Sequence, residues 1–386
     1  VMICVDDGPA EDGSMEHANG IPYDTFLSQA SGAAKTQPKG DEIYMLYTGG
    51  TTGMPKGVMY PLDGFTEFFM RGFPPMIGLP PFEDPAEFGP AARQMVDANA
   101  TVVAMSGPPL MHGTGCWLGL MFPHMLGGTS VLLENRGFKP EEVWSTVERD
   151  RVSQIIIVGD AFAKPLLRTL ETEPDRWDTS SLKLMISSGA MFTTEVKRGL
   201  IDHMPELAIA DVLGSTEGGM GQSIMTKDTP PSETAKFTLL PVAKVLLPDG
   251  SREVVPGSGE VGMVAQGGMV PLGYYKDPEK SAKTFKEIDG TRYAFIGDMA
   301  TIDVDEFLDS PNATLVPALP KRGHVLLQWS PLSPFDGVKG TPILSSRWAA
   351  MQLAGRQDRV VSRSRMLNTK TIVHTTTFAF QLYRDI

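Results

Sequence analysis

At 386 residues the chain is long enough to bury a large core, and 41% apolar with 21% charged residues is ordinary globular composition. A formal net charge of −12 gives the whole no attraction for nucleic acid or for an anionic membrane surface. Its two cysteines, Cys4 and Cys116, are too few for a disulfide framework, which points to a reducing compartment, the cytoplasm.

Residues 1–5 are apolar and read as a strand, with Asp6 and Asp7 directly after them. That pattern has no basic flank, so it is not a secretory signal, and a start inside a strand is expected of a protein lacking its front end. Residues 44–47 close a second strand. The longest stretch without Asp, Glu, Lys or Arg is 98–133, interrupted by Pro108, Pro109, Pro123 and the pair Gly127–Gly128. These breaks exclude a single membrane-spanning helix and predict a buried strand, loop and helix.

The middle of the chain alternates strand and helix. Residues 154–158 form a continuous apolar run, as in a strand covered on both faces. Gly159 and Asp160 end it, and 161–171 read as a helix. A strand over 182–186 follows, then an N-cap at Thr193 or Thr194 before a helix over 195–201, then a strand over 208–213. This order predicts an α/β sheet, with ligands at the carboxyl ends of its strands. The loops at those ends, 187–190 and 214–217, are small and polar. From 236 to 270 the pattern changes to short β segments with turns, which predicts a small β subdomain. Gly257, Gly259 and Gly262 match a dinucleotide fingerprint in spacing, but they precede a β run rather than a helix and fail its context. Asn99 and Asn312 sit in glycosylation sequons that carry no meaning without a secretory context.

Residues 310–386 differ in kind, with ten basic and three acidic side chains and no glutamate. Nucleic-acid arms cluster charge more densely, so the reading adopted is a segment not shaped by the fold, such as a shifted reading frame. The domain division expected is therefore 1–309 and 310–386.

Residues 48–57 carry the most specific signal. Four glycines (Gly49, Gly50, Gly53 and Gly57) let backbone N–H groups approach an anion, Thr48, Thr51 and Thr52 add hydroxyl donors, and Lys56 adds a positive charge. A triphosphate calls for that combination. Lys56 lies between Pro55 and Gly57, so the loop is not the Walker type; a Gly/Thr surface turn is the alternative.

The loop resembles the phosphate-binding signature of the adenylate-forming superfamily of acyl-CoA synthetases, luciferases and peptide-synthetase adenylation domains. Gly49 stands where serine is usual, and with Met54, Val58 and Met59 it is most similar to synthetases of fatty acids or steroid side-chain acids. Further motifs follow in family order. Ser188, Gly189 and Ala190 resemble the loop against adenine. Leu213, Gly214, Ser215, Thr216 and Glu217 resemble the motif whose threonine contacts phosphate and whose glutamate holds Mg²⁺; Leu213 replaces a frequent aromatic. Residues 273–282 resemble a segment at the domain's edge, and 293–298 the motif whose aspartate, here Asp298, accepts the ribose hydroxyls. His112 and Gly113 lie in a segment resembling the carboxylate pocket and its gate, with Phe122 and Met191 expected near it. Taken alone, Glu217 is a solvated loop residue and Asp298 a strand-end turn residue; motif order selects the functional reading. For His112, a core histidine and a pocket residue stay balanced.

The resemblance implies a layered, mixed-sheet α/β large domain with a small β subdomain. It also implies a ligase that turns a carboxylic acid and ATP into an acyl-adenylate with Mg²⁺, then transfers the acyl group to coenzyme A. Lys56, Thr216 and Glu217 are the implied catalytic residues. The Gly-Arg hinge and the late catalytic lysine of the family's C-terminal domain have no counterpart in the expected setting. An incomplete, non-catalytic nucleotide binder and a domain loading a carrier protein are the alternatives.

Overall fold

The structure, a computed structural model, describes residues 2–4, 20–29, 39, 41–48, 55–133, 135, 137–230, 236–303 and 324–327. Strands β1 (Met2–Cys4) and β2 (Gly20–Pro22) pair in parallel ahead of helix α1 (Tyr23–Ser28). Strands β3 (Ile43–Thr48) and β4 (Lys56–Pro61) form an antiparallel hairpin that places Thr48 opposite Lys56. After it come α2 (Leu62–Gly72), α3 (Phe88–Asp97) and β5 (Val103–Ser106). A π-helical segment, Thr114–Met121, runs into α4 (Phe122–Met125) and then β6 (Thr129–Val131). The uncharged stretch thus folds as a strand, a turn, one continuous helical segment and a strand, and no described helix is long and apolar enough to cross a membrane.

Next along the chain are α5 (Pro140–Asp150), β7 (Gln154–Ile157), α6 (Gly159–Thr172), β8 (Leu184–Ser188), α7 (Thr194–His203) and β9 (Ala208–Ser215). Strands β6, β5, β7, β8 and β9 are neighbours in that order and all parallel. The two-residue period of a strand divides the apolar run of β7 between two cores. Ile155 and Ile157 face Trp144, Phe162, Leu166 and Leu200, from the helices α5, α6 and α7. Ile156 joins Ile186, Ala210 and an aromatic group that includes Phe65, Phe69, Phe73, Trp117 and Phe122. Both faces are covered, so the strand reads as unbroken apolar sequence.

The chain then reverses. The strands β10 (Gly218–Met225), β11 (Lys236–Leu239), β12 (Ala243–Leu246) and β13 (Gly262–Gln266) extend the sheet in antiparallel fashion. They are followed by β14 (Gly273–Tyr274), α8 (Pro278–Thr284), β15 (Phe285–Ile288), β16 (Thr291–Ile302) and β17 (His324–Leu327). The strand order is β12-β13-β16-β17-β11-β10-β9-β8-β7-β5-β6, with β15 along β16, and a separate three-stranded sheet has the order β14-β4-β3. The mixed-sheet α/β architecture expected from the motifs is the one found. Of the segment after residue 309, only β17 is described, paired with β11 and β16.

Local boundaries shift for identifiable reasons. Helix α6 begins at Gly159 rather than Ala161; the Gly159 N–H donates to Ser187 Oγ at 3.0 Å. Thr193 occupies the N-cap position of α7, but its hydroxyl does not cap. Instead its N–H and Oγ1 both donate to Asp160 Oδ1, at 2.9 and 3.1 Å. The Asp160 carboxylate thereby ties the start of α6 to the start of α7.

One ion pair lies inside the sheet–helix layer. Lys197 Nζ on α7 donates to Asp211 Oδ2 on β9 at 2.6 Å, with side chains 5% and 6% exposed. Burial raises the pKa of Asp211, and the adjacent Lys197 ammonium opposes that shift. Removing one partner strands the other charge in an apolar layer. Lys197→Ala is expected to lower the unfolding free energy by about 3–5 kcal/mol in a urea titration. The double variant Lys197→Met, Asp211→Leu is expected to regain most of that loss, and a single variant as stable as the native chain contradicts this account.

Candidate functional site

The site is built where the parallel half of the sheet gives way to the antiparallel half. Strand β9 ends at Ser215, residues 216–217 make a tight turn, and β10 returns with Gly218 opposite Ser215. Gly218 has φ +145°, and a Cβ there would sit 2.1 Å from Gln266 Oε1 on β13, so the turn demands glycine. Glu217 follows from this geometry: its side chain is carried inward and is 8% exposed. Its N–H donates to Ser215 Oγ at 3.0 Å, and the Ser215 hydroxyl donates to Oε2 at 2.8 Å. The Tyr274 hydroxyl donates to Oε1 at 2.6 Å. The Tyr60 hydroxyl, from β4, donates to the carbonyl of Thr216 at 2.9 Å. Two tyrosines of the three-stranded sheet thus hold the turn of the large one.

Lys56 opens β4 on that same small sheet. Its ammonium lies 5.0 Å from the centroid of the Tyr274 ring, a cation–π contact. Burial pulls its pKa below the usual lysine value. The neighbouring Lys280 ammonium acts in the same direction, and the carboxylates of Glu217 and Asp277 pull it back up. Asp277 in turn caps α8 by accepting the Lys280 N–H at 3.0 Å. Gly57 is fixed by crowding, since a Cβ there would come within 2.8 Å of Met45 Sδ and 3.2 Å of Tyr275 Cβ. Gly49, Gly50, Thr51, Thr52 and Gly53 lie outside the described residues; Thr48, the last residue of β3, is placed opposite Lys56.

Asp298 lies on β16 beside Gly297, whose φ is +109°. There β16 carries extra residues against β13: Met263 faces Met299 while Ala265 faces Phe295. Such a bulge re-aims side chains. Burial raises the pKa of the Asp298 carboxyl, and the charge of Glu217 raises it further, so the two carboxylates share one neighbourhood. Ser188 ends β8 buried, and Gly189 beside it has φ +88°. Ala190 is half-buried, and Leu213 packs toward Met220 and Leu239.

His112 lies two residues ahead of the π-helical segment. Its Nδ1 accepts the Thr114 N–H at 3.3 Å, and burial lowers its pKa, which keeps the ring neutral. A Cβ on Gly113 would meet Leu46 Cδ2 at 3.1 Å, and Trp117 Nε1 donates to the Tyr44 hydroxyl at 2.9 Å. The segment is therefore packed directly against β3. A cavity of about 230 Å³ opens beside Pro109 and Leu110, between Leu132, Phe138 and Phe162. His112, Phe122 and Met191 do not line it: Phe122 is 2% exposed and turned onto Phe73, while Met191 is 47% exposed.

Tyr60, Tyr274, Asp277 and Lys280 were not legible as site residues from spacing. Tyr274 lies 57 positions from Glu217, and nothing local in the 273–282 segment points to that distant carboxylate.

The profile of the AMP-binding enzyme family matches residues 1–275. The chain belongs to the AMP-binding enzyme family. A medium/long-chain-fatty-acid–CoA/3-oxocholest-4-en-26-oate–CoA ligase of Mycolicibacterium smegmatis is 38% identical over 312 residues, covering 79% of this chain and 54% of that protein. A 3-oxocholest-4-en-26-oate–CoA ligase of Rhodococcus rhodochrous is 35% identical over the same coverage. The chain spans about half the length of these curated relatives. The Klebsiella oxytoca NpsA N-terminal subdomain, solved with 3-hydroxybenzoyl-AMSN, shares the fold with a TM-score of 0.56 at 17% identity, over 84% of this chain and 74% of that one.

The steric demand at the turn is testable without a ligand. Gly218→Ala is expected to cost about 2–4 kcal/mol of stability, from backbone strain together with the clash on Gln266. A denaturation midpoint equal to that of the native chain contradicts the geometry described.

Proposed function

We propose that this AMP-binding chain activates a carboxylic acid with ATP and passes the acyl group to coenzyme A. The observation that carries the proposal is the buried Glu217 carboxylate, held by two neutral hydroxyls, with Lys56 close by and Asp298 within its field. A buried carboxylate met by neutral hydroxyl donors, with no ion pair among the described residues, suits a ligand that brings positive charge of its own.

Magnesium fits that description. Among the described residues no group of three or more His, Cys, Asp or Glu side chains converges as a metal cage. Magnesium usually takes one or two carboxylates and completes its shell with water and substrate phosphates. Glu217 would hold it, and when bound the ion supplies neutralisation of phosphate charge.

The protein's own residues do the rest. In this reading Lys56 meets phosphate oxygens as a positive charge, and the glycine- and threonine-rich segment 48–57, of which 49–54 lie outside the described residues, is assigned to the polyphosphate. Thr216 offers a hydroxyl beside Glu217, and Asp298 accepts from the ribose diol. Ser188, Gly189 and Ala190 border the adenine, and Leu213 gives it aliphatic contact. His112 and Gly113 border the acid. The acid's carboxylate oxygen bonds to the α-phosphorus of ATP as the bond to the β-phosphate oxygen breaks, and pyrophosphate leaves with that electron pair. The thiolate of coenzyme A then bonds to the acyl carbon, and AMP leaves with the electrons of the acyl–phosphate bond. Neither step needs a nucleophile from the protein; the contribution is positioning and charge stabilisation.

The names of the relatives support a fatty acid or a steroid side-chain acid as substrate. We assign 1–309 to the nucleotide-binding unit; the one described strand of 310–386, β17, completes that unit's sheet between β16 and β11. A cytoplasmic site of action agrees with the scarcity of cysteine and with the half-buried free thiol of Cys116.

AMP release from ATP, Mg²⁺, a fatty acid and coenzyme A tests the reading. Release that requires coenzyme A is expected, and no release with any fatty or steroid acid overturns it. Lys56→Ala and Glu217→Ala are each expected to slow acid-dependent pyrophosphate exchange by about 10²-fold or more. Unchanged exchange in either variant removes that residue from the role.

A further inference from the structure

Tyr274 touches both charged residues at the centre of the candidate site, and the resemblance of 273–282 to a family segment gave it no role. Its hydroxyl donates to Glu217 Oε1 at 2.6 Å, and its ring lies 5.0 Å from the Lys56 ammonium. The side chain has little freedom to leave. Tyr274 is 3% exposed, its backbone pairs with Val58, and its ring packs on Phe285 with centroids 5.2 Å apart. Its N–H donates to Ser281 Oγ at 2.9 Å, and the Ser281 hydroxyl donates to the carbonyl of Asp277 at 2.6 Å. The phenol is therefore presented to Glu217 by a strand pairing, a helix cap and a core contact together.

The consequence for Glu217 is orientation. A carboxylate offers about four lone-pair positions, two on each oxygen. Tyr274 takes one on Oε1 and Ser215 takes one on Oε2, at 2.8 Å. Rotating the carboxylate breaks one of these bonds, and the positions left over point in fixed directions. A hard cation with strict octahedral demands gains from an oxygen that is already aimed.

We propose that Tyr274 is a positioning residue: its hydroxyl fixes the Glu217 carboxylate in the orientation that meets magnesium on ATP. The proposal rests on the metal role given to Glu217 above. Burial and the adjacent Glu217 charge both push the Tyr274 pKa upward, so the phenol remains a donor throughout the physiological range. Tyr60, bound to the Thr216 carbonyl, holds the backbone of the same turn, and Tyr274 holds its side chain. This division of labour explains why two tyrosines from one small sheet converge on two successive residues.

Tyr274→Phe keeps the ring, the Lys56 contact and the core while deleting the donor. In calorimetric titrations of the full 386-residue chain, ATP affinity with saturating Mg²⁺ is expected to fall roughly tenfold, the size of one hydrogen bond to a charged acceptor. ATP affinity in EDTA is expected to stay within about twofold, and the melting temperature within a few degrees. Ser215→Ala, which deletes the other donor, is expected to give the same magnesium-specific loss. Equal Mg·ATP affinity in Tyr274→Phe and the native chain overturns the proposal. An equal loss with and without magnesium overturns it too, because it assigns Tyr274 to packing alone. If the native chain binds ATP no better with magnesium than without, the metal role of Glu217 fails first and takes this proposal with it.

Discussion

Two hydroxyl groups hold the Glu217 carboxylate, and among the described residues no basic side chain forms an ion pair with it. A charge taken out of water costs several kcal/mol unless hydrogen bonds or a counter-ion replace the lost hydration. Neutral donors orient the charge without cancelling it, so the field of Glu217 stays available to its surroundings. That field reaches Lys56 on one side and Asp298 on the other, and it opposes the drop in the Lys56 pKa caused by burial and Lys280. The remaining architecture is readable as what is needed to keep this one group in place.

The large sheet supplies the platform. Its parallel strands are covered on both faces, and the β9–β10 turn is locked by a glycine that no other residue can replace without striking Gln266. Beneath that turn, the Lys197–Asp211 pair joins α7 to β9 two residues before Leu213. The small sheet supplies the other half, since β4 carries Lys56 and Tyr60 and β14 carries Tyr274. The site is therefore an interface between two sheets within one packed unit. Residues far apart in sequence meet there only after both sheets have formed.

Much of the platform was legible from the sequence. The apolar run at β7 and the polar strand ends at Ser188 and Gly214 follow from two-residue periodicity and turn chemistry, which are local signals. Thr193 shows the limit of such signals: a threonine at an N-cap reads as a cap until the distant Asp160 claims its hydroxyl. The reversal after β9 had no warning either. A small polar turn precedes a helix or an antiparallel strand equally well, and only the apolar demands of β10 and β11 decide between them. Lys56, Glu217 and Asp298 could be nominated because charged residues stood in a recognisable order. Tyr274 lay within the recognised 273–282 segment, but neither it nor Tyr60 could be given a role, because an aromatic residue is placed in a core by its hydrophobicity and in a site by its hydroxyl, and sequence spacing registers only the first.

The account turns on whether magnesium and the phosphates of ATP meet at Glu217 and Lys56. A crystal structure of the chain with Mg²⁺ and a non-hydrolysable ATP analogue decides it most directly. The account requires a Glu217 oxygen within about 2.0–2.2 Å of the metal, the Lys56 ammonium against a phosphate, and the ribose diol on Asp298. Nucleotide bound elsewhere on the sheet, or a metal held without Glu217, contradicts it.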